Sequence, residues 1–234
     1  MSVGFRKQGR PARFWLRAGT VLGLLAVAAV AIGWWWWTGW APSRDHFPTQ
    51  GVAISSAQGT VDWREVRNDG ADFAYIRATT GARERDLSFA RNLAGVREAG
   101  LRYGAELAYD PCAKASEQAT LFITTVPRDA EALPPAIRLD RVPDCAPDRD
   151  RMLSELNTLI NLVEAHGGKP AILHVSEDFE AAYDIGGQLN RSVWLESAYF
   201  EPGYADHDWV IWTASRSRRI QGLSGPVEWL VVAP

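Results

Sequence analysis

The longest uncharged stretch of this chain lies near its N-terminus, and it limits how much of the sequence can form a soluble domain. No charged residue occurs between Arg17 and Arg44, and residues 18–40 are almost wholly apolar, small or aromatic. About 20 such residues in a helix are enough to cross the hydrocarbon core of a bilayer. The sequence therefore predicts one transmembrane anchor over residues 18–40.

Charged and aromatic residues at the two ends of this segment predict its orientation. Five basic residues and no acidic residue precede it, and it closes with the sequence GWWWWTGW. A basic flank is retained in the cytoplasm, and tryptophans are enriched at membrane–water interfaces. We therefore expect a cytoplasmic tail at residues 1–17, a single pass through the inner (cytoplasmic) membrane, and the remaining chain on the periplasmic, extracytoplasmic side. A cleaved signal peptide is the alternative, because alanines in the segment offer small-residue cleavage sites.

The remainder of the chain is acidic, which restricts its partners. Residues 45–234 hold all 28 acidic residues but 19 of the 25 basic ones, a formal net charge of −9. A protein that binds nucleic acid uses basic residues to neutralise phosphates. The charge therefore argues against nucleic acid as a partner.

Two cysteines, Cys112 and Cys145, lie in the exported part near prolines. An even number of cysteines in an oxidising compartment favours a disulfide, and two free thiols are the alternative. No histidine or further cysteine stands beside them at the spacing of metal ligands. The sequence indicates no metal and no other cofactor.

Strands and helices alternate after a short linker at residues 41–50. Strands joined by helices of ten or more residues pair in parallel with right-handed crossovers. Five such units followed by three strands predict that residues 51–234 form an irregular TIM-like α/β barrel, with an open doubly wound sheet as the alternative. The predicted strands are residues 51–55, 72–79, 102–109, 134–140, 170–176, 191–197, 207–215 and 227–232, and the predicted helices are residues 62–70, 87–100, 116–126 and 150–168.

Seven segments of this domain carry motifs in a fixed order. They are GVAISSAQGTVDW (51–63), FAYIRATTG (73–81), AGLRYGAELAY (99–109), SEQATLFITTV (116–126), LPPAIRLD (133–140), GKPAILHVSEDFEAAY (168–183) and WTASRSRRIQGLSGPVEW (212–229). In this order they resemble the glycoside hydrolase family 25 lysozymes over nearly all of residues 51–230. The resemblance implies a β/α barrel that hydrolyses the glycan strands of bacterial peptidoglycan, as a muramidase does.

The family's acidic site is only partly kept. Its chemistry needs one carboxylic acid to protonate the leaving oxygen and a second carboxylate near the sugar. The family's first-strand aspartate falls on Ala53 and its fourth-strand aspartate on Arg138, while the general-acid glutamate falls on Asp140 and the late aspartate on Glu228. Of the family's acidic positions, those of Asp140 and Glu228 alone hold an acidic residue in this chain. Further family positions fall on Thr80, Glu106, Leu107, His174, Thr213 and Ala214.

These positions supply the candidate site residues. Asp140, with Glu106 or Glu228 as its partner, is the predicted catalytic set. Residues expected to contact substrate are Arg138, His174, Trp212 and Tyr109.

Arg138 argues against Asp140 as the proton donor. The two side chains share one face of a strand, because strand residues alternate. A neighbouring cation favours the carboxylate form over the proton donor. The shorter side chain also withdraws the proton by about 1 Å, which can slow a reaction on the order of a hundredfold. The alternative is an Arg138–Asp140 ion pair, shared with Glu106, that fills the mouth of the barrel.

Three functions remain open on the sequence. The first is a membrane-anchored, lysozyme-like hydrolase directed at peptidoglycan, with impaired hydrolysis. The second is an inactive pseudoenzyme that binds peptidoglycan or a cell-wall protein. The third is a structural envelope domain without affinity for glycan.

Overall fold

The computed structural model describes residues 12–206 and 208–234, and the chain divides into two compact units, Met1–Gly39 and Trp40–Pro234. In the first unit, helix α1 spans Ala12–Gly39. Its part Gly19–Gly39 is long and apolar enough to cross a membrane, with a mean hydropathy of 1.7. A signal sequence has the same properties, so the anchor stays a prediction. Residues 1–11 of the predicted cytoplasmic tail lie outside the described residues.

The second unit is a closed barrel of eight strands, with one short additional strand that pairs with residues 79–80. The strands are β1 (Gln50–Ile54), β2 (Phe73–Thr80), β3 (Glu84–Arg85), β4 (Arg102–Ala108), β5 (Ala136–Leu139), β6 (Ile172–Val175), β7 (Val193–Glu196), β8 (Trp209–Arg218) and β9 (Val227–Val232). Around the barrel their order is β1-β9-β8-β7-β6-β5-β4-β2, and β1 pairs with β2 to close it. β9 is antiparallel to both neighbours, while the other barrel pairings are parallel. The predicted TIM-like barrel is confirmed.

Helices cover the outside of the barrel. They are α2 (Trp63–Asn68), α3 (Phe89–Glu98), α4 (Ala115–Thr125), α5 (Arg149–Gly167), α6 (Glu177–Tyr183) and α7 (Ile185–Gln188). Local side-chain and backbone features determine where α5 begins and ends. The Asp148 carboxylate accepts a hydrogen bond from the Arg151 amide, and Gly168 ends the helix in the left-handed conformation with φ 69°, which glycine adopts without steric penalty.

Three local features differ from the sequence predictions. Helix α4 begins at Ala115, so Ser116, which was predicted to be its N-cap residue, lies inside it. Lys114, without a side-chain hydrogen bond, is the N-cap residue. Helices α6 and α7 occupy a segment in which no helix was predicted. The signal for α6 was Ser176, whose hydroxyl accepts a hydrogen bond from the Phe179 amide. Strand β3 was missed because two residues are too few to show a period.

Strand alternation divides the side chains of each barrel strand between the helices and the interior. On β5, Ile137 and Leu139 pack in the large core beneath the helices. Ala136 belongs to the smaller cluster inside the barrel, so Arg138, two residues on, also points inward. The interior cluster is apolar and includes Phe73, Tyr75, Trp194, Ile211 and Leu230.

A glycine makes room for the Tyr75 ring of this inner layer. A Cβ atom added to Gly104 on β4 would lie 2.3 Å from Cε1 of Tyr75. Tyr75 is 1% exposed, and its hydroxyl donates to the Pro134 carbonyl at 3.1 Å. The apolar layer thus closes the barrel beneath the polar residues that follow it on each strand.

Candidate active site

A ring of polar side chains lies at the carboxyl-terminal end of the barrel, one layer above the apolar cluster. Each member stands two residues from an apolar or small residue of its own strand, as the strand period of two requires. Active sites of β/α barrels lie at this end. The ring consists of Arg77 (β2), Glu106 (β4), Arg138 (β5), His174 (β6), Glu196 (β7), Thr213 (β8) and Glu228 (β9).

Arg138 is the centre of this ring. Its Nη2 atom lies 2.6 and 2.8 Å from the two carboxylate oxygens of Glu228 and 3.1 Å from Glu196 Oε1. Its Nε atom is 3.7 Å from Glu106 and 3.9 Å from Asp140. Burial opposes the charge of Arg138, but Glu106 and Glu228 attract it strongly enough to raise its pKa above the usual value. Arg138 is therefore a permanent cation.

Glu106 is a buried carboxylate rather than an acid facing substrate. Its side chain is 2% exposed, and it accepts a hydrogen bond from Arg77 Nε at 2.8 Å. Burial alone would raise the pKa of Glu106, but the charges of Arg138 and Arg77 outweigh burial and hold that pKa well below its usual range. Glu106 therefore balances two arginines and carries no proton to donate at neutral pH.

His174 lies between two carboxylates. Its Nδ1 atom is 3.0 Å from Glu106 Oε1, and its ring is stacked on Trp194 at 3.9 Å between centroids. Burial, followed by the charge of Arg138, lowers the pKa of His174 to about 4, so the ring is neutral near pH 7. A neutral imidazole has one N–H donor. We assign that proton to Nδ1 because Nε2, although 2.7 Å from Glu196 Oε1, lacks hydrogen-bond geometry.

Glu196 was missed by the sequence analysis. It contacts Arg138, His174 and Arg216, and its side chain is 9% exposed. The signal was present, since alternation in VWLE places Glu196 two residues beyond the inward-facing Trp194 at the end of the strand. The expected Arg138–Asp140 pair is the longest of the ion contacts of Arg138, because Glu228 and Glu196 approach its guanidinium more closely.

Asp140, which is not part of the ring, differs from the ring residues because it faces open space. Its side chain is 36% exposed, and it lines a cleft of about 860 Å³ beside the barrel mouth. Glu228, 22% exposed, lines a separate cavity of about 60 Å³ at the mouth with Ala53, Arg77 and Glu106. Asp140 is thus the predicted catalytic residue most open to a large ligand.

The residues predicted to contact substrate are largely enclosed. His174 and Trp212 are 1% and 2% exposed. Trp212 packs edge-on against Phe47 at 5.7 Å between ring centroids, and its indole N–H donates to the Ser197 carbonyl. Tyr109, 3% exposed, backs the wall of the large cleft. In this conformation neither His174 nor Trp212 offers a ring face to a sugar.

Two loops beside the cleft are joined covalently. Cys112, after β4, and Cys145, after β5, form a disulfide with a Cα–Cα distance of 5.6 Å. Within residues 12–206 and 208–234, no group of three or more histidine, cysteine or acidic side chains is arranged to hold a metal ion.

Comparison with known proteins relates most of the barrel to one family. A family model described as "Glycosyl hydrolases family 25" matches residues 52–223. YegX, an uncharacterised protein of Escherichia coli K12, is 28% identical over 192 residues, which are 79% of this chain and 70% of that protein. Lysozyme M1 of Streptomyces globisporus is 26% identical over 200 residues, covering 79% of this chain and 67% of the lysozyme.

Solved structures agree with this relationship. A family 25 glycosyl hydrolase from Bacillus anthracis superposes with a TM-score of 0.75 at 28% identity, covering 82% of this chain and 92% of that one. The bacterial lysozyme from Streptomyces coelicolor superposes with a TM-score of 0.69 at 24% identity, covering 80% and 92%. At that identity the second likeness concerns the fold alone.

Proposed function

The chain belongs to glycoside hydrolase family 25, and from that premise we propose that its barrel binds the glycan strands of peptidoglycan but hydrolyses them only slowly. The limiting case is a pseudoenzyme that binds without any hydrolysis. In this proposal α1 anchors the chain in the cytoplasmic membrane, with the barrel on the extracytoplasmic side, where peptidoglycan lies.

The position of Arg138 carries the proposal. Glycoside hydrolysis needs a proton donor and a second carboxylate on opposite sides of the scissile bond. Both oxygens of Glu228 are within 2.8 Å of one nitrogen of Arg138, so the charge of this carboxylate is already balanced by a buried cation. The same guanidinium stands 3.9 Å from Asp140. An oxocarbenium-like centre would form beside a carboxylate whose charge Arg138 already balances, so Glu228 would stabilise this centre less than a free carboxylate does.

The cleft supports the binding part of the proposal. Its volume of about 860 Å³ is within the range of ligand sites. Polar and charged side chains line it, and these suit a hydroxyl-rich glycan; they include Arg77, Glu84, Asp110, Lys114, Asp140 and Arg141. The cleft lies at the end of the barrel where this fold places its ligands.

A residual muramidase activity has one observation in its favour. Asp140 and Glu228 are both partly exposed, at 36% and 22% of their side chains, and they flank the same guanidinium. In slow hydrolysis Asp140 would be the proton donor and Glu228 the second carboxylate. Glu106 would remain a structural partner of Arg77 and Arg138, because it is fully enclosed.

Co-sedimentation with purified peptidoglycan tests where the glycan binds. The full chain in detergent should pellet with the glycan. Arg141→Ala removes an exposed cation that lines the cleft, and we expect its affinity to fall about tenfold, as for a charge-assisted hydrogen bond of about 1.5 kcal/mol. Arg151→Ala, an exposed arginine on α5 away from the cleft, is the matched control. Failure of the native chain to pellet would contradict the proposal.

A further inference from the structure

We propose that the Cys112–Cys145 disulfide is a redox-controlled lock on the cleft. In the oxidised chain the cross-link holds the loop that follows Asp140, which forms one wall of the cleft. Reduction releases this loop and weakens glycan binding. The inference rests on the proposed function, because it concerns the regulation of the same cleft.

The disulfide joins the two loops that build this wall. β4 and β5 are neighbouring parallel strands, so the loops that follow them leave the barrel side by side. Cys112 lies in the first loop, residues 109–114, and Cys145 in the second, residues 140–148. Both loops line the cleft, the first with Asp110 to Lys114 and the second with Asp140, Arg141 and Pro143.

The first loop is firmly held without the disulfide. The buried side chain of Gln118 accepts from the Asp110 amide at 2.9 Å and donates to the carbonyls of Asp110 and Ala113 at 2.9 and 3.1 Å. The Asp110 carboxylate also accepts from the Cys112 amide at 2.9 Å. Cys112 is therefore a fixed point on the barrel.

The second loop is poorly held apart from the disulfide. Among the described residues, the hydrogen bonding of residues 141–146 consists of one contact inside the loop, from the Ala146 amide to the Pro143 carbonyl. The next links to the barrel are at Ala146, which packs against the large core, and at Pro147, whose carbonyl accepts from the Tyr183 hydroxyl at 3.2 Å. Before these two residues, the cross-link at Cys145 connects the second loop to the first.

The disulfide is open to exchange, because both cysteines are exposed. A dithiol protein of the thiol–disulfide oxidoreductase class is the proposed reductant. Its thiolate attacks one sulfur and forms a mixed disulfide, and the other cysteine leaves as a thiolate and takes a proton. The second thiol of the reductant then displaces the first cysteine. Two electrons pass to the chain, Cys112 and Cys145 become thiols, and the reductant becomes a disulfide; exposed disulfides are typical sites of such exchange.

The direction of the effect follows from the entropy of the loop. Once released, residues 141–145 sample many conformations, and glycan binding must order them again. We expect the affinity of the reduced chain for peptidoglycan to be at least about tenfold weaker. The barrel itself should keep its structure, since its core lies elsewhere, beneath the helices and inside the strands.

The test compares three forms of the full chain in detergent: oxidised, reduced with dithiothreitol, and the double variant Cys112→Ser/Cys145→Ser. Peptidoglycan co-sedimentation gives the affinity. Hydrogen exchange read by mass spectrometry follows the Ala146 amide, because its hydrogen bond to the Pro143 carbonyl lasts only while the loop is ordered. The reduced chain and the double variant should bind at least tenfold more weakly and exchange faster in this loop alone. Dithiothreitol should change nothing further in the double variant.

Two results would overturn the lock. Equal affinities of the oxidised and reduced chains would show that the disulfide does not control glycan binding. Faster exchange throughout the barrel would show that the disulfide stabilises the whole domain rather than this loop. If the oxidised chain binds no peptidoglycan, the proposed function fails, and hydrogen exchange still decides the lock. Faster exchange confined to the second loop would support it, and unchanged exchange would overturn it.

Discussion

One nitrogen of Arg138, Nη2, lies within 2.8 Å of both carboxylate oxygens of Glu228. These residues are 90 positions apart in the chain, and they meet across the mouth of the barrel because β5 and β9 lie opposite each other in the ring of eight strands. In a family whose chemistry depends on free carboxylates at this end of the barrel, the contact changes the site from an acidic pair to an ion network.

Removing the cation of this network should destabilise the fold. In Arg138→Leu, the carboxylates of Glu106, Glu196 and Glu228 lose their shared partner, and breaking a buried ion pair in this way costs about 3–5 kcal/mol. Urea unfolding should show a loss of free energy of unfolding of this size. Arg151→Leu, on the exposed face of α5, should stay within about 0.5 kcal/mol of the native chain. If Arg138→Leu lowers the free energy of unfolding by less than about 1 kcal/mol, the ion network contributes little to the stability of the fold.

The stability of the barrel should fall as the pH is lowered from about 6.5. The folded pKa of His174 is about 4, below its usual 6.5, so the unfolded chain takes up the proton first. The stability due to the neutral ring is complete above pH 6.5 and is lost between pH 6.5 and about 4, on the order of 3 kcal/mol. The depressed pKa of Glu106 adds a loss of the same sign below its unfolded value of about 4.3.

A histidine variant separates the two groups. In His174→Gln the amide still donates to Glu106 but does not titrate, so the pH dependence between 6.5 and 4 should flatten. His46→Gln changes an exposed histidine in the segment before β1 and should keep the native profile. Unfolding free energies at a series of pH values measure both. An unchanged slope in His174→Gln would show that another group causes the loss.

The packing of the apolar layer can be tested by one methyl group. Gly104→Ala places a Cβ atom 2.3 Å from the Tyr75 ring, and overpacking of this kind costs about 1–3 kcal/mol. Gly203→Ala meets no atom within 4 Å and should be nearly neutral. Thermal unfolding of the two variants gives the comparison. Equal melting temperatures would mean that Tyr75 can move away from β4 freely.

Membrane anchoring predicts that the N-terminal segment stays on the mature protein. The chain should remain in the membrane pellet after a carbonate wash, and its intact mass should include residues 1–40. Protease added from the extracytoplasmic side should remove the barrel. A soluble protein that begins after the alanine-rich segment would instead identify a cleaved signal peptide.

Strand periodicity predicted correctly which way side chains of the barrel strands point. Alternation in AIRL predicted that Arg138 and Asp140 share a face, and Arg138 does point into the barrel above Ala136. The partners of Arg138 were harder to predict, because Glu196 is 58 positions away and Glu228 is 90. Which carboxylate comes closest depends on how the barrel closes, and a local pattern holds no information on that distance.

Exposure was the other property that the sequence left open. Trp212 lies within β8 and is 2% exposed, whereas Asp140 directly follows β5 and its side chain is 36% exposed. Trp212 is covered by Phe47 from the segment before β1, and that packing could not be inferred from the composition of residues 41–50. Asp140 is open because it lines the large cleft, together with Arg141 and Pro143 of the loop that follows it.

The ratio of glycan cleaved to glycan bound tests the central claim most directly. The full chain and Streptomyces globisporus lysozyme M1 are incubated with the same peptidoglycan, and each sample is assayed for pelleted protein and for new reducing ends. We predict saturable binding with a rate of reducing-end release per bound molecule at least about a hundredfold below that of the lysozyme, and no release by Asp140→Asn. Release at a comparable rate would contradict the account, because the Arg138 network would then leave the catalytic carboxylates free to act.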